Sequence, residues 1–155
     1  MLVTFEKLSS VRNNHPTKRI VLVGGCYDLL HIGHVQFLEK CRSLGDILVV
    51  AVSSDMRIQE RKGTTRPIIP ASERVEMLSA LRCVDYATVA PDSILGEVPT
   101  VMIIQALRPH IFATTDNRMG EYQASLLAMG TETVPVSEVR LTSTTIIIEK
   151  VLKQH

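Results

Sequence analysis

The chain is poor in the residues that mark several classes of protein. Its 155 residues include no tryptophan, 3 cysteines and 4% aromatic residues. Cys26, Cys41 and Cys83 are odd in number and widely spaced, which fits neither a disulfide framework nor a zinc pattern. We therefore expect three reduced thiols, with Cys41 and Cys83 as packing residues.

Long apolar runs and a strong charge of either sign are also lacking. No apolar segment approaches the roughly 20 residues of a bilayer-spanning helix, and residues 1–18 contain no apolar signal core. The net charge of +1 disfavours a nucleic-acid partner, which usually meets a basic field. We therefore expect a cytoplasmic protein with neither a membrane nor a nucleic-acid partner.

Short apolar runs alternate with amphipathic segments along the chain. The apolar runs predict five strands, at 19–24, 47–52, 86–89, 111–113 and 133–136. The amphipathic segments predict helices at 33–44, 72–82, 99–107, 118–129 and 143–152. This alternation predicts one domain over 1–155, a Rossmann-like, doubly wound, parallel five-stranded sheet in three α/β/α layers. Pro135 places the last strand at a sheet edge, and the leader 1–18 is a candidate for an extra helix.

The loop after the first strand, residues 24–34, has the features of an anion site. Ligands of such sheets bind at the carboxyl ends of the strands, where the strand order reverses. Two glycines let the backbone approach a ligand, and a helix beginning near Gly33 offers free N–H groups and a positive dipole end. His31 and His34 lie on one side of its first turn, where they favour charge that grows on a phosphoryl group. The alternative is a pair of surface or metal-binding histidines.

Two further segments carry possible phosphate contacts. Arg61, Lys62 and Arg66 are expected to form a basic loop after the second strand, with a solvated charge run as the alternative. Lys62 is the expected mobile contact, because its ammonium is a point charge on a flexible stem. Hydroxyl residues at 142–145 exceed what a helix cap needs, so they predict a second anion cradle. Arg140 stands just before them.

These segments resemble a known family. Residues 25–34 resemble the signature of the cytidylyltransferase-like nucleotidyltransferases, Gly-x-Phe-Asp-x-x-His-x-Gly-His, with Tyr27 in place of the usual Phe. Class I aminoacyl-tRNA synthetases share His-x-Gly-His but are longer and carry a Lys-rich signature that is absent here. Residues 62–67 and 74–78 are similar to the family's Lys-Gly-x-x-Arg-Pro and Arg-x-x-x-Leu, most of all in its sugar-phosphate adenylyltransferase branch. Residues 143–147 resemble its closing Ser-Thr-Thr-x-Ile.

The resemblance implies a set of site residues. The catalytic residues would be His31, His34 and Lys62. Contacts to the nucleotide and its phosphates would come from Gly25, Cys26, Tyr27, Gly33, Arg66, Arg74, Arg140, Ser143, Thr144 and Thr145. The acceptor or the base would contact Asp28, Asp55, Thr114 and Asp116. Magnesium is the implied cofactor, bound mainly through the phosphates and without side-chain ligands from the protein.

The resemblance also implies the reaction. A phosphorylated small molecule would attack the α-phosphorus of a nucleoside triphosphate in line and release pyrophosphate. The leading hypothesis is transfer of AMP from ATP to a sugar 1-phosphate, heptose-like by resemblance. The branch's usual Lys-Gly-Gly-Asp-Tyr is replaced by Ala-Thr-Thr-Asp-Asn at 113–117. In the family this region frames the base and the acceptor, so the change bears on the specificity for both. The alternatives are a CTP-dependent cytidylyltransferase acting on glycerol 3-phosphate or a related alcohol phosphate, and an inactive nucleotide sensor. A homodimer is a further option.

Overall fold

A five-stranded parallel sheet forms the centre of the computed structural model, which describes residues 1–93, 98–115, 120–137 and 143–154. The strands are β1 (Ile20–Gly25), β2 (Ile47–Val52), β3 (Tyr86–Val89), β4 (Ile111–Thr114) and β5 (Glu132–Pro135). Their order is β3-β2-β1-β4-β5, and every pairing is parallel. The strand order reverses between β1 and β4, so the predicted doubly wound topology is confirmed.

Helices cover both faces of the sheet. They are α1 (Leu8–Asn14), α2 (Ile32–Arg42), α3 (Asp55–Lys62), α4 (Ala71–Ser79), α5 (Pro99–Leu107), α6 (Gln123–Ala128) and α7 (Thr144–Leu152). Short 3-10 turns at Phe5–Lys7 and Gly120–Tyr122 precede α1 and α6. Alternate residues of β1 explain the layering, because Val21 and Val23 pack with α2 and α4 while Ile20 and Leu22 pack with α1, α5 and α6. Within the described residues, no helix combines the length and the apolarity needed to cross a membrane.

Helix α3 is the main departure from the sequence prediction, which placed a basic loop there. Ile58 is the one buried residue of this helix, so the apolar stripe that signals a helix is missing. The ends are nevertheless well defined. Ser54 caps the first turn, where its hydroxyl accepts a hydrogen bond from the Arg57 N–H at 3.2 Å. Gly63 ends the helix at φ 90°, which a side chain would disfavour.

Two other segments refine the prediction. The helix expected at 118–129 is observed as α6, which begins at Gln123 after a 3-10 turn, and residues 116–119 lie outside the described part. The leader does form a helix, α1, whose Leu8 and Val11 are buried in the core on the Ile20 and Leu22 side of the sheet.

Burial raises the pKa of the Cys41 thiol to about 12, consistent with a packing role.

The first residues of the chain also extend the sheet. The Ala87 N–H donates to the Met1 carbonyl at 2.9 Å, and the Val3 N–H donates to the Ala87 carbonyl at 3.0 Å. The terminal ammonium of Met1 donates to the Asp85 carbonyl at 2.8 Å. The leader therefore pairs with the outer side of β3.

Candidate active site

A cavity of about 710 Å³ opens at the carboxyl ends of the strands, where the strand order reverses. It collects residues from the β1–α2 loop, from α2, from the end of β2, from β4, from both halves of α3, from α5 and from the first turn of α7. The lining includes Gly25, Cys26, Tyr27, His34, Arg57, Arg61, Lys62, Val98, Ile103, Phe112, Thr114 and Thr144. The ligand was expected at this edge of the sheet, because ligands of doubly wound sheets bind where the strand order reverses.

The two histidines of the signature stack on each other at the start of α2. Their ring centroids lie 3.7 Å apart with an interplanar angle of 20°. His31 is the N-cap in an extended conformation, and its carbonyl accepts the His34 N–H at 3.0 Å. The Tyr27 ring meets His34 edge-on, with centroids 5.3 Å apart. The loop and the first turn of α2 therefore form one packed unit.

His34 is the histidine that lines the cavity. Burial, followed by the charges of His31 and Lys62, lowers the pKa of His34 to about 4. At neutral pH His34 is therefore an uncharged hydrogen-bonding group. Its buried Nδ1 has no hydrogen-bond partner among the described residues. A buried polar atom without a partner is costly, so a ligand that supplies one is favoured.

The backbone of the signature loop is under local constraint. Tyr27 and Leu29 adopt positive φ angles of 51° and 49°, which residues other than glycine rarely do. A side chain at Gly25 would lie 2.7 Å from the Tyr27 ring, so only glycine leaves room for that ring. This packing holds the loop backbone at the cavity wall.

Asp28 joins the signature loop to the segment before α4. Its buried carboxylate accepts hydrogen bonds from Arg66 Nε at 2.8 Å and from the N–H groups of Ile68 and Ile69 at 3.1 and 3.0 Å. Burial alone would raise the pKa of Asp28, but these hydrogen bonds and the Arg66 charge hold it below its usual value. The Thr144 hydroxyl donates to the Asp28 carbonyl. The carboxylate thus binds the protein itself and does not line the cavity, where an acceptor or base contact was expected.

Arg74 was also expected at the phosphates, but the structure buries it completely. Its Nε donates to the Ile69 carbonyl at 2.8 Å, and one terminal nitrogen donates to the Cys26 carbonyl. The other terminal nitrogen donates to the Ser53 carbonyl at 2.9 Å and to Asp55 Oδ1 at 2.6 Å. Arg74 therefore ties the ends of β1 and β2 to α4, because its donors point at protein oxygens.

Arg66 and Asp55 also bind other groups of the protein. The Arg66 side chain is 13% exposed, and its terminal nitrogen lies 2.8 Å from Asp28 Oδ2. Asp55 accepts the Ala71 N–H at 2.9 Å in addition to its contact with Arg74. Neither residue lines the cavity, so both position the loops around it.

Among the described residues, the cations that line the cavity come from α3. They are Arg57, Arg61 and Lys62. Lys62 is the last residue of the helix and does not belong to a mobile loop. Arg57 was missed, although Ser54 followed by strong helix formers and a terminal Gly63 is a start-and-stop signal for a helix.

The remaining predicted residues fall into three groups. Cys26, Thr114 and Thr144 line the cavity. Ser143 is the N-cap of α7, and its hydroxyl accepts the Ile146 N–H at 3.2 Å, whereas Thr145 is exposed on the first turn. Gly33 is buried in the first turn of α2, and Asp116 and Arg140 lie outside the described residues.

The donors of the cavity are mainly hydroxyls and cations. In the part of the chain that the structure describes, no three His, Cys, Asp or Glu side chains gather into a metal-binding group. Its described lining residues also include no carboxylate. Phosphate oxygens are common ligands of magnesium, and the donors of this cavity suit a bound phosphate.

Comparison with known proteins decides the family. Residues 22–150 match the family model described as cytidylyltransferase-like. The chain belongs to this family. It is 42% identical over 146 residues to the Bifunctional protein HldE of Pelobacter propionicus. This match covers 89% of this chain and 28% of that protein. It is 39% identical over 155 residues to the Bifunctional protein HldE of Helicobacter pylori strain J99, which covers 99% of this chain and 32% of that protein. This cytidylyltransferase-like chain thus spans under a third of the length of these curated relatives.

Solved structures agree with the fold of this family member. The lipopolysaccharide core biosynthesis protein from Thermoplasma volcanium matches with a TM-score of 0.65 and 26% identity, over 78% of this chain and 98% of that chain. The pantoate-beta-alanine ligase from Francisella tularensis matches with a TM-score of 0.62 over 100% of this chain and 78% of that chain. At 15% identity, the second match concerns the fold alone.

Proposed function

We propose that the chain is a nucleotidyltransferase that transfers AMP from ATP to a sugar 1-phosphate or a similar phosphorylated metabolite and releases pyrophosphate. One observation carries this proposal. His34 of the signature, Lys62 of the basic segment and Thr144 of the closing segment line a single cavity. Three segments that are far apart in sequence thus supply anion donors to one space at the switch point of the sheet.

The proposed chemistry needs little beyond alignment and charge stabilisation. An oxygen of the acceptor phosphate attacks the α-phosphorus, and the bond from that phosphorus to the bridging oxygen of pyrophosphate breaks. The nucleophile is already an anion, so no strong general base is required. His34 is neutral and contributes a hydrogen bond, whereas Lys62 contributes full charge.

In this proposal, helix N-termini and magnesium would also stabilise the negative charge of the phosphates. The N-termini of α2 and α7 lie at the cavity edge that carries His34 and Thr144, where free N–H groups favour the leaving pyrophosphate. Magnesium bound through the phosphates would supply further neutralisation there. Asp28, Arg66 and Arg74 would hold the loops in register without touching the substrates.

The branch assignment rests on similarity to HldE proteins, of which this chain covers only a part. Residues 62–67 favour the adenylyltransferase branch, while Thr114 and Thr115 stand where that branch has glycines. A cytoplasmic location and a homodimer belong to the same proposal.

Pyrophosphate release tests the proposal directly. The purified chain would be incubated with magnesium and either ATP or CTP, together with heptose 1-phosphate, glucose 1-phosphate or glycerol 3-phosphate. We expect release with ATP and a sugar 1-phosphate, and a loss of about 100- to 1000-fold in His34→Ala. Release with CTP and glycerol 3-phosphate would replace the adenylyltransferase assignment by the cytidylyltransferase one. Nucleotide binding without release for any acceptor would favour an inactive sensor.

A further inference from the structure

Two kinds of surface line the cavity together. Arg57 and Arg61 lie four residues apart on α3, so they share one face of the helix. Apolar side chains come from Val98 at the N-cap of α5, from Ile103 within that helix and from Phe112 in β4. A molecule bound here would meet paired guanidinium groups and an apolar surface within one space.

We propose that Arg57 and Arg61 bind the phosphate group of the acceptor, while the apolar surface contacts its organic part. This inference rests on the proposed function and assigns the second substrate its place. Guanidinium groups pair with phosphate oxygens through parallel hydrogen bonds, which a lysine cannot reproduce. The acceptor would therefore be a phosphate monoester, such as an anomeric phosphate, with a C–H-rich face beside the phosphate.

The geometry of α3 places this phosphate next to the reacting centre. A helix rises about 1.5 Å per residue, so Arg57 and Lys62 lie about 7.5 Å apart along the axis. Lys62 and His34 line the same cavity, so the C-terminal end of α3 faces the space that also holds His34. A phosphate held by Arg57 and Arg61 could thus bring an oxygen toward the α-phosphorus, as in-line attack requires.

Arg57 is held by a weak surface contact, and Arg61 is exposed. Arg57 contacts Glu60 within the helix at 3.7 Å. The Arg57 side chain is 40% exposed and the Glu60 side chain is 54% exposed. Such an exposed pair contributes little stability and competes weakly with a phosphate. By contrast, Arg66 and Arg74 are held by buried protein oxygens, so they are poor candidates for the same task.

Binding of inorganic phosphate to the nucleotide-free chain tests the site, by calorimetry on the wild type and on Arg57→Ala and Arg61→Ala. Loss of a charge-assisted contact should weaken phosphate binding about tenfold or more in each variant, and leave ATP affinity within about twofold. Arg108→Ala, at the far end of α5, is the matched control and should bind phosphate as the wild type does. The urea midpoint of the α3 variants should not fall, because alanine favours an exposed helix.

Propyl phosphate tests the apolar contact. Burial of its methylene groups should make it bind about tenfold more tightly than inorganic phosphate, and Arg57→Ala should weaken both ligands in parallel. Equal binding of the two ligands, or an α3 variant that weakens ATP rather than phosphate, would overturn the inference even if pyrophosphate is released. Normal phosphate binding with no release for any acceptor would instead count against the proposed function alone.

Discussion

Replacement of Arg74 by Met gives the sharpest test of how the site is built. Arg74 is fully buried and donates to three backbone carbonyls and to Asp55 Oδ1. Methionine keeps much of the volume but removes every donor. Breaking a buried pair in this way typically costs about 3–5 kcal/mol, and Asp55 limits the cost because it is 40% exposed and keeps the Ala71 N–H.

The expected loss is a large share of the stability of a domain, which is about 5–15 kcal/mol. At about 2–4 °C per kcal/mol for a chain of this size, Tm should fall by about 6–20 °C. Urea unfolding and calorimetry would measure it, with Glu76→Ala, on the exposed side of α4, as the control. A loss below about 1 kcal/mol combined with a tenfold loss of nucleotide affinity would refute the reasoning and make Arg74 a phosphate ligand.

The other predictions concern the histidine, the lysine and the base. His34→Ala should lose about 100- to 1000-fold in turnover, or roughly 2.7–4 kcal/mol, and a variant that keeps a third of wild-type activity would remove His34 from the mechanism. Lys62→Ala should reduce kcat more than ATP affinity, because charge moves toward the leaving group in the transition state. Single-turnover kinetics and calorimetry would measure the two losses, and equal losses would contradict this prediction. The pKa of His34 is depressed to about 4 from 6.5, so the unfolded chain binds the proton first. The contribution of His34 to the free energy of unfolding is fully present above about pH 6.5 and is lost as the pH falls toward 4. His34→Gln should therefore flatten the pH dependence of the free energy of unfolding, measured with urea, over that range. Calorimetry with magnesium should find ATP bound more tightly than CTP, and the reverse order would move the chain to the cytidylyltransferase assignment.

The sheet could be predicted because its strands are unambiguous. The run at 47–52 is apolar throughout, as a strand covered on both faces must be, and it forms β2 with the predicted bounds. Ser143 was recognised as a cap for the same kind of reason, since its hydroxyl has a local task that sequence spacing reveals.

The roles of the charged residues could not be predicted from sequence in the same way. An arginine on an amphipathic helix gives no sign of whether it faces water, a ligand or a carbonyl on another segment. Arg74, which is buried, and Arg66, which is partly buried, proved to hold loops together, because residues distant in sequence supply their acceptors. Arg57 escaped notice because periodicity detects apolar stripes, and α3 has almost none.

The pairing of residues 1–3 with β3 has a consequence for self-association. An uncovered strand edge is a template onto which a second chain can add. Here the Met1 carbonyl and the Val3 N–H occupy the outer backbone groups of Ala87, while the opposite edge is a four-residue strand that ends on Pro135, which has no N–H. Loss of this pairing would therefore leave the fold largely intact but expose a strand edge onto which further chains can add.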